Sequence, residues 1–366
     1  MPAGLYLHYP YCKKKCHYCD FVSFVNLNDR FGYTDYLMKE WALYRNEWAP
    51  ASFDTLYFGG GTPSLLPTKE WSILSQWISD ELSGIDEFTV EANPESVDHE
   101  LMNAIEKAGC TRMSLGIQSI NDQILRLIGR IHSSSDAYKA VERAKKSRIK
   151  QINLDFIVGL PGETWDSVEQ NCHFIHTFHP HHLSLYFLSI PSTSIMQKLA
   201  QVDPYLFPDE ATVLSFWKYY IEFLHDLGYQ HYEISNFSLP GCESRHNSHY
   251  WNRDPYLGLG INASSFYNEK RWTNTSSIAL YQNNVAHQKK PVAYQETLSV
   301  NEIYLETVML GFRQFNVGVA ADFFPIHTQT TLHEMQEKGW LILKNTRYCL
   351  TESGCIWLDT IIKQLT

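Results

Sequence analysis

Over its first half the 366-residue chain alternates short runs of apolar, β-branched and aromatic residues with amphipathic stretches of helical period, and this limits the possible fold more than any other feature. The runs cover residues 5–9, 55–58, 87–93, 112–118, 152–161 and 182–189; the helical stretches cover 33–48, 69–81, 98–108, 136–146 and 164–178. Strands separated by helices pair in parallel, so the pattern predicts six βα-type strands in one parallel sheet. Gly59 to Thr62, Glu91, Asn93, Gln118 and the segment 159–162 all fall at the C-terminal ends of these strands. In parallel sheets and barrels, that rim is where functional groups gather.

The pattern changes after Ser189. A long helix is expected over 209–227, a strand over 232–238, and then a glycine- and aromatic-rich stretch over 240–266. The segment 280–300, "LYQNNVAHQKKPVAYQETLSV", reads as a linker. Helices over 301–312 and 331–339, a hairpin in "WLILKNTRYCLTESG" (340–354) and a last helix follow, an order that suggests a winged-helix-like α+β module. The expected divisions are therefore 1–235, 236–295 and 296–366.

A formal charge of -10 argues against a nucleic-acid binder, which usually needs positive charge to displace counterions from phosphates. The start, "MPAGLYLHYPYC", has no signal- or transit-peptide pattern, and no apolar stretch approaches the roughly 20 residues that span a bilayer. A cytoplasmic location is the expectation. Eight cysteines are too few for a disulfide scaffold in a chain this long, and Cys110, Cys172, Cys242, Cys349 and Cys355 are scattered as ordinary small hydrophobes.

The other three are not scattered. "YPYCKKKCHYCDF" sets Cys12, Cys16 and Cys19 in a C-x3-C-x2-C spacing directly after the first strand. Structural zinc wants four closed ligands and usually takes two CxxC-like pairs, although His8 or His17 could complete a set. Covalent haem attachment needs C-x-x-C-H, one residue tighter than "CKKKCH". A 4Fe-4S cube held by three thiolates leaves one iron open to a substrate or cofactor.

This spacing resembles the radical S-adenosylmethionine (SAM) superfamily, in which the amino and carboxylate groups of SAM occupy the open iron. Further motifs, "LYFGGGTPSLL", "VEANPES", "SLGIQSIND", "NLDFIVGLPGET", "YEISNFSLPGCESRHNSHYW" and "YLGLGINASSF", are similar in order and spacing to the coproporphyrinogen-dehydrogenase-like family, and within it to the HemW haem chaperones. The resemblance covers almost the whole chain. It implies a partial (β/α)6 TIM-like barrel over 1–235. It also implies a 4Fe-4S cluster on Cys12, Cys16 and Cys19, with SAM held by Tyr6, Tyr18, Gly60, Gly61, Thr62, Glu91, Gln118, Arg130 and Asp155.

Within "RHNSHYW" the resemblance gives His246 a role in haem binding, with His249 as a weaker candidate; a lone histidine beside aromatics would otherwise be an ordinary satisfied polar group. "HTFHPHH" (176–182) has no family counterpart and reads as a solvated turn. Relatives carry a histidine near Ser264 or Ser265, and this chain departs from them there. Two functions stay open. One is a haem chaperone that hands haem to acceptor proteins of the respiratory, membrane-associated kind, with an electron donor and a homodimer as further partners. The other is an oxygen-independent coproporphyrinogen III oxidase, in which a 5'-deoxyadenosyl radical takes hydrogen from a propionate. The oxidase branch carries a further cysteine two residues after the third and a longer N-terminal arm. Here that position is Phe21 and eleven residues precede Cys12, so the resemblance favours the chaperone.

Overall fold

The computed structural model describes residues 2–48 and 52–365. The first half runs β1 (Pro2–Tyr9), α1 (Tyr33–Trp48), β2 (Ser52–Gly60), α2 (Thr68–Glu81), β3 (Glu87–Ala92), α3 (His99–Lys107), β4 (Arg112–Gln118), α4 (Asp122–Leu127), α5 (Ser134–Lys146), β5 (Gln151–Val158), α6 (Trp165–Phe178) and β6 (His182–Phe187). The six strands pair in parallel in chain order, each with the next. Local sequence fixes the helix starts: Ser133 and Thr164 form capping boxes, and the side chains of Asp98 and Asn121 accept from first-turn amides. In α5 the buried Ala137, Ala140, Val141 and Ala144 recur at helical spacing and lay one apolar stripe on the sheet.

Beyond β6 come α7 (Ile195–Val202), α8 (Glu210–Asp226), β7 (Gln230–Glu233), β8 (Asn236–Ser238), α9 (Arg245–Asn252), β9 (Tyr256–Leu259), β10 (Ser264–Tyr267), β11 (Lys270–Asn274), α10 (Ile278–Ala286) and β12 (Val292–Thr297). The barrel does not close. β8 and then β7 continue antiparallel from β6, while β9 pairs parallel with the other edge of β1 and leads on to β10, β11 and β12, giving one sheet of twelve strands. Residues 280–300 are therefore no linker. Tyr281 and Val285 of α10 are buried against the core, and β12 adds the edge strand to β11.

The C-terminal part holds α11 (Val300–Gly311), β13 (Val319–Ala320), α12 (Gln329–Glu337), β14 (Leu341–Lys344), β15 (Arg347–Leu350), α13 (Glu352–Cys355) and α14 (Leu358–Leu365). Its three strands form a small antiparallel sheet around a core of its own that includes Phe312, Leu332, Met335 and Ile361. The stretch 176–182 also differs from expectation. His176 and His179 are exposed, but His182 opens β6 fully buried, its ring between Asn153 Oδ1 at 2.6 Å and the Tyr232 hydroxyl at 2.8 Å.

Two buried polar groups hold the extension to the barrel. Glu40 of α1 accepts from the Gly260 amide (2.8 Å), the Tyr281 hydroxyl (2.7 Å) and the Asn274 side-chain amide (2.6 Å), so one carboxyl ties together the β9–β10 turn, β11 and α10. Helix α9 lies across the N-terminal ends of β1 and β2. Its first amides, of Arg245 and His246, each donate at 3.0 Å to the Glu87 carboxylate, as the positive end of a helix favours. His246 lies between the Thr55 hydroxyl (Nδ1, 2.8 Å) and the Tyr250 hydroxyl (Nε2, 2.8 Å), close against Gly4, where an added Cβ would meet its Cε1 at 3.1 Å.

These two groups give measurable expectations. Replacing Glu40 by Ala strands three buried donors and should lower the unfolding free energy by about 3 kcal/mol. Glu40→Gln, which keeps an acceptor for Gly260 and Tyr281, should cost less; equal urea midpoints for the two variants would contradict this. For His246, burial first, then the charges of His249 and Arg112, lower the imidazole from 6.5 to about 3. Below pH 6.5 the unfolded chain takes up a proton that the folded one refuses, so the stabilisation from His246 is present above that pH and is lost on acidification toward 3. The stability deficit of His246→Gln, measured by urea titration at several pH values, should shrink by about 1 kcal/mol per unit below pH 6. A deficit independent of pH would exclude a buried neutral ring.

Candidate functional site

Successive residues of a strand face opposite sides, and β4 shows what this barrel does with its inner side. Met113, Leu115 and Ile117 face outward and are buried under helices; Arg112, Ser114, Gly116 and Gln118 face in and line a cavity of about 410 Å³. Glu91 and Asn93 beyond it, Asn153 and Asp155 of β5, and Ser184 of β6 line the same space. Barrel interiors are normally filled by bulky branched side chains. Here serine and glycine at inward positions leave the middle open and polar.

The cysteine loop closes the C-terminal rim. Cys12 N donates to Phe24 O (2.9 Å) and Phe24 N to Pro10 O (2.6 Å), which folds the loop back on itself. Its middle is pinned to the end of α4: His17 N donates to Ile128 O at 3.0 Å, and His17 Nδ1 lies 2.9 Å from Leu127 O. Gly129, at φ 79°, lets the imidazole lie flat there, since a Cβ would come within 2.7 Å of the ring. Cys12, Cys16 and Cys19 all reach the cavity as free, partly exposed thiols.

Thr62, just past β2, and Arg130, just past α4, each reach one of these sulfurs, and Asn93, just past β3, bonds to both side chains. Thr62 donates to Cys12 Sγ (3.4 Å) and accepts from Asn93 Nδ2 (3.1 Å). Arg130 approaches Cys16 Sγ through Nη1 (3.6 Å) and through Nη2 donates to Asn93 Oδ1 (2.8 Å) and Gly116 O (2.7 Å). Gly60, at φ 109°, sits where a Cβ would enter the His8 ring, and Gly61 where one would strike the backbone of Tyr9 and Tyr11. These glycines let β2 end directly beneath the loop. Gln118 adopts φ 67° at a register break between β4 and β5, a conformation costly for a non-glycine residue that is found where a side chain must be redirected.

Two carboxyls face this space. Glu91 accepts from the Tyr57 hydroxyl (2.7 Å) and the Gly60 amide (3.0 Å), and burial raises it to about 7. Asp155 accepts from Ser114 (3.0 Å) and Asn153 (2.8 Å), and burial raises it as well. Desolvated carboxyls facing the cavity favour a ligand carrying positive charge, such as an ammonium or sulfonium group.

Among the described residues no group of three His, Cys, Asp or Glu side chains converges as a lone metal ion requires. Three thiols spread around a pinned loop, with hydrogen-bond donors aimed at two of the sulfurs, fit instead an iron–sulfur cube, whose irons sit at separate corners. Of the positions expected to hold a cofactor, Tyr18, Gly60, Gly61, Thr62, Glu91, Gln118, Arg130 and Asp155 all line the one cavity. Tyr6 does not; it lies behind Tyr57, with its hydroxyl 3.0 Å from His8 Nδ1. His246 and His249 do not line it either, although Asn247 between them does. Both ring nitrogens of His249 face carboxylates, of Asp54 and Asp254.

The sequence reading missed Tyr57, Arg112, Ser114, Asn153 and Asn247 as cavity residues. The signal for some of them was present in "RMSLGIQ", where small or polar residues take every second place in a strand that a packed parallel barrel would make apolar on both sides.

A model of the radical SAM superfamily matches residues 6–175. The chain is 32% identical over 326 residues to "Heme chaperone HemW" of Lactococcus lactis, covering 88% of this chain and 84% of that one. It is 30% identical over 372 residues to the protein of the same name in Mycobacterium tuberculosis, covering 100% and 95%. Among solved structures, coproporphyrinogen III oxidase (HemN) from Escherichia coli, a radical SAM enzyme, shares the fold at a TM-score of 0.84 and 20% identity, covering 100% of this chain and 90% of that one. A cysteine loop on the rim of an open parallel barrel, and similarity along nearly the full length of both chains, lead to one conclusion: this chain belongs to the HemW family of radical SAM proteins.

Proposed function

We propose that the chain is a haem chaperone, which binds haem and passes it to acceptor proteins, respiratory ones among them. In this reading Cys12, Cys16 and Cys19 hold a 4Fe-4S cluster, and Tyr18, Gly60, Gly61, Thr62, Glu91, Gln118, Arg130 and Asp155 hold SAM, with Tyr6 behind Tyr57 outside that set. When bound, that pair supplies one-electron reductive chemistry at a sulfonium. The chain's own residues orient it: Glu91 and Asp155 offer acceptors to cationic or hydroxyl groups, and Arg130 and Thr62 donate toward the sulfurs. An electron donor, the haem acceptors and a second copy of the chain are the partners this reading calls for, in the cytoplasm.

The observation that carries the proposal is the similarity, over nearly the whole length of both chains, to proteins named heme chaperone HemW. Phe21 supports it. This side chain is 61% exposed at the cavity mouth, where the oxidase branch is expected to have a cysteine. His246 enters the reading as the haem ligand under one condition. Its ring must leave the hydroxyls of Thr55 and Tyr250, which hold both of its nitrogens.

The deciding experiment incubates anaerobically reconstituted protein with reductant, SAM and coproporphyrinogen III and looks for decarboxylated product by mass spectrometry. No product, together with stoichiometric haem binding, is expected; product would overturn the chaperone. Cys16→Ser should lose the cluster's visible absorbance and remain soluble. His246→Ala should bind haem more weakly, and an unchanged haem spectrum would remove His246 from the site.

A further inference from the structure

The closed end of the barrel cavity holds a buried guanidinium that no carboxylate contacts directly, although Asp155 is near enough to feel its charge. Arg112, the first residue of β4, is 3% exposed and lines the cavity, yet its Nε is buried without a hydrogen-bond partner. Among the described residues its guanidinium forms no ion pair. The carboxylates of the neighbouring strands are committed elsewhere: Glu87 to the amides that open α9, and Asp155 to Ser114 and Asn153. Asn247 enters the same end of the cavity from α9, and its side-chain amide makes no bond within the described protein. A buried cation is costly unless an anion meets it, and a planar guanidinium meets a carboxylate through two parallel bonds.

We propose that Arg112 and Asn247 form a carboxylate-recognition subsite at the base of the barrel, receiving the acid end of an organic ligand that reaches this base. The guanidinium takes the carboxylate in bidentate fashion and the Asn247 amide donates a third bond. The cavity then has two unlike ends, the cysteine loop at the rim and a guanidinium without an ion pair at the base. The ligand's source is a haem propionate, and in that respect the inference rests on the chaperone reading; a small free carboxylate is the other source of the same chemistry.

The test titrates full-length, reconstituted protein with haem and with haem dimethyl ester, and separately follows melting with and without succinate. Wild type should bind haem at least tenfold more tightly than the ester, and Arg112→Gln should bind both alike. Without ligand, Arg112→Gln should melt at or above the wild-type temperature, since it removes a buried charge that has no ion pair; a markedly lower melting point would make the guanidinium structural and overturn the subsite. Asn247→Asp, which sets a carboxylate beside Arg112, should weaken haem binding and keep the fold. A rise in wild-type melting with succinate that Arg112→Gln abolishes identifies a small acid as the source. If wild type binds no haem, the chaperone reading fails while the succinate result still decides the subsite. Equal haem affinities for wild type and Arg112→Gln, with no succinate effect, overturn it.

Discussion

Strand β1 is the constraint on which the rest depends. It pairs over its whole length with β2 on one side and from Gly4 to Leu7 with β9 on the other, and so lies inside the sheet rather than at the edge of a barrel. At its C-terminal end it delivers the cysteine loop to the rim; near its N-terminal end Gly4 gives His246 room to seat α9 across the base. Both ends of the cavity are therefore set by the position of one strand. The Glu40 carboxyl keeps β9 in place by binding the turn that follows it, so a residue in the first helix stabilises a pairing made by the last third of the chain.

An open, polar barrel interior is a physical liability. Ser114, Gly116 and Ser184 forgo the packing that bulky side chains would give, and among the described residues neither of the buried carboxyls Glu91 and Asp155 has an ion pair to offset its lost hydration. Such a cavity favours whatever ligand supplies the missing charges and contacts, because binding to the folded state alone raises its stability by mass action. Affinity and folding are coupled here through the same residues.

Much of this was legible in the sequence. The six strands, their helices and the cysteine loop carry strong local signals: period, capping residues and close thiol spacing. The extension β9 to β12 was not legible, because its strands are four to six residues long and β9 finds its partner about 250 positions away, beyond any local pattern. The segment 280–300 looked like a linker for the same reason. The polar face of β4 was visible as Arg112, Ser114, Gly116 and Gln118, but which face of a parallel strand points inward is decided by register with its neighbours. "RHNSHYW" shows a further limit: composition displayed two histidines among aromatics, while burial and the partners of each ring nitrogen depend on Thr55, Asp54 and Glu87, about 160 to 190 residues earlier in the chain.

The interior position of β1 also sets an order of events during synthesis. Its first partner, β2, emerges soon after it, but the strand that covers its other side begins at Tyr256. At about 5–20 residues per second, β1 waits roughly 10 to 50 seconds with one edge unpaired, open to any passing strand. During that interval the three thiols are already on hand while the base of the barrel, which α9 closes, is still missing. A metal cluster loaded early would enter a tube open at both ends, and one loaded late would meet a finished cup.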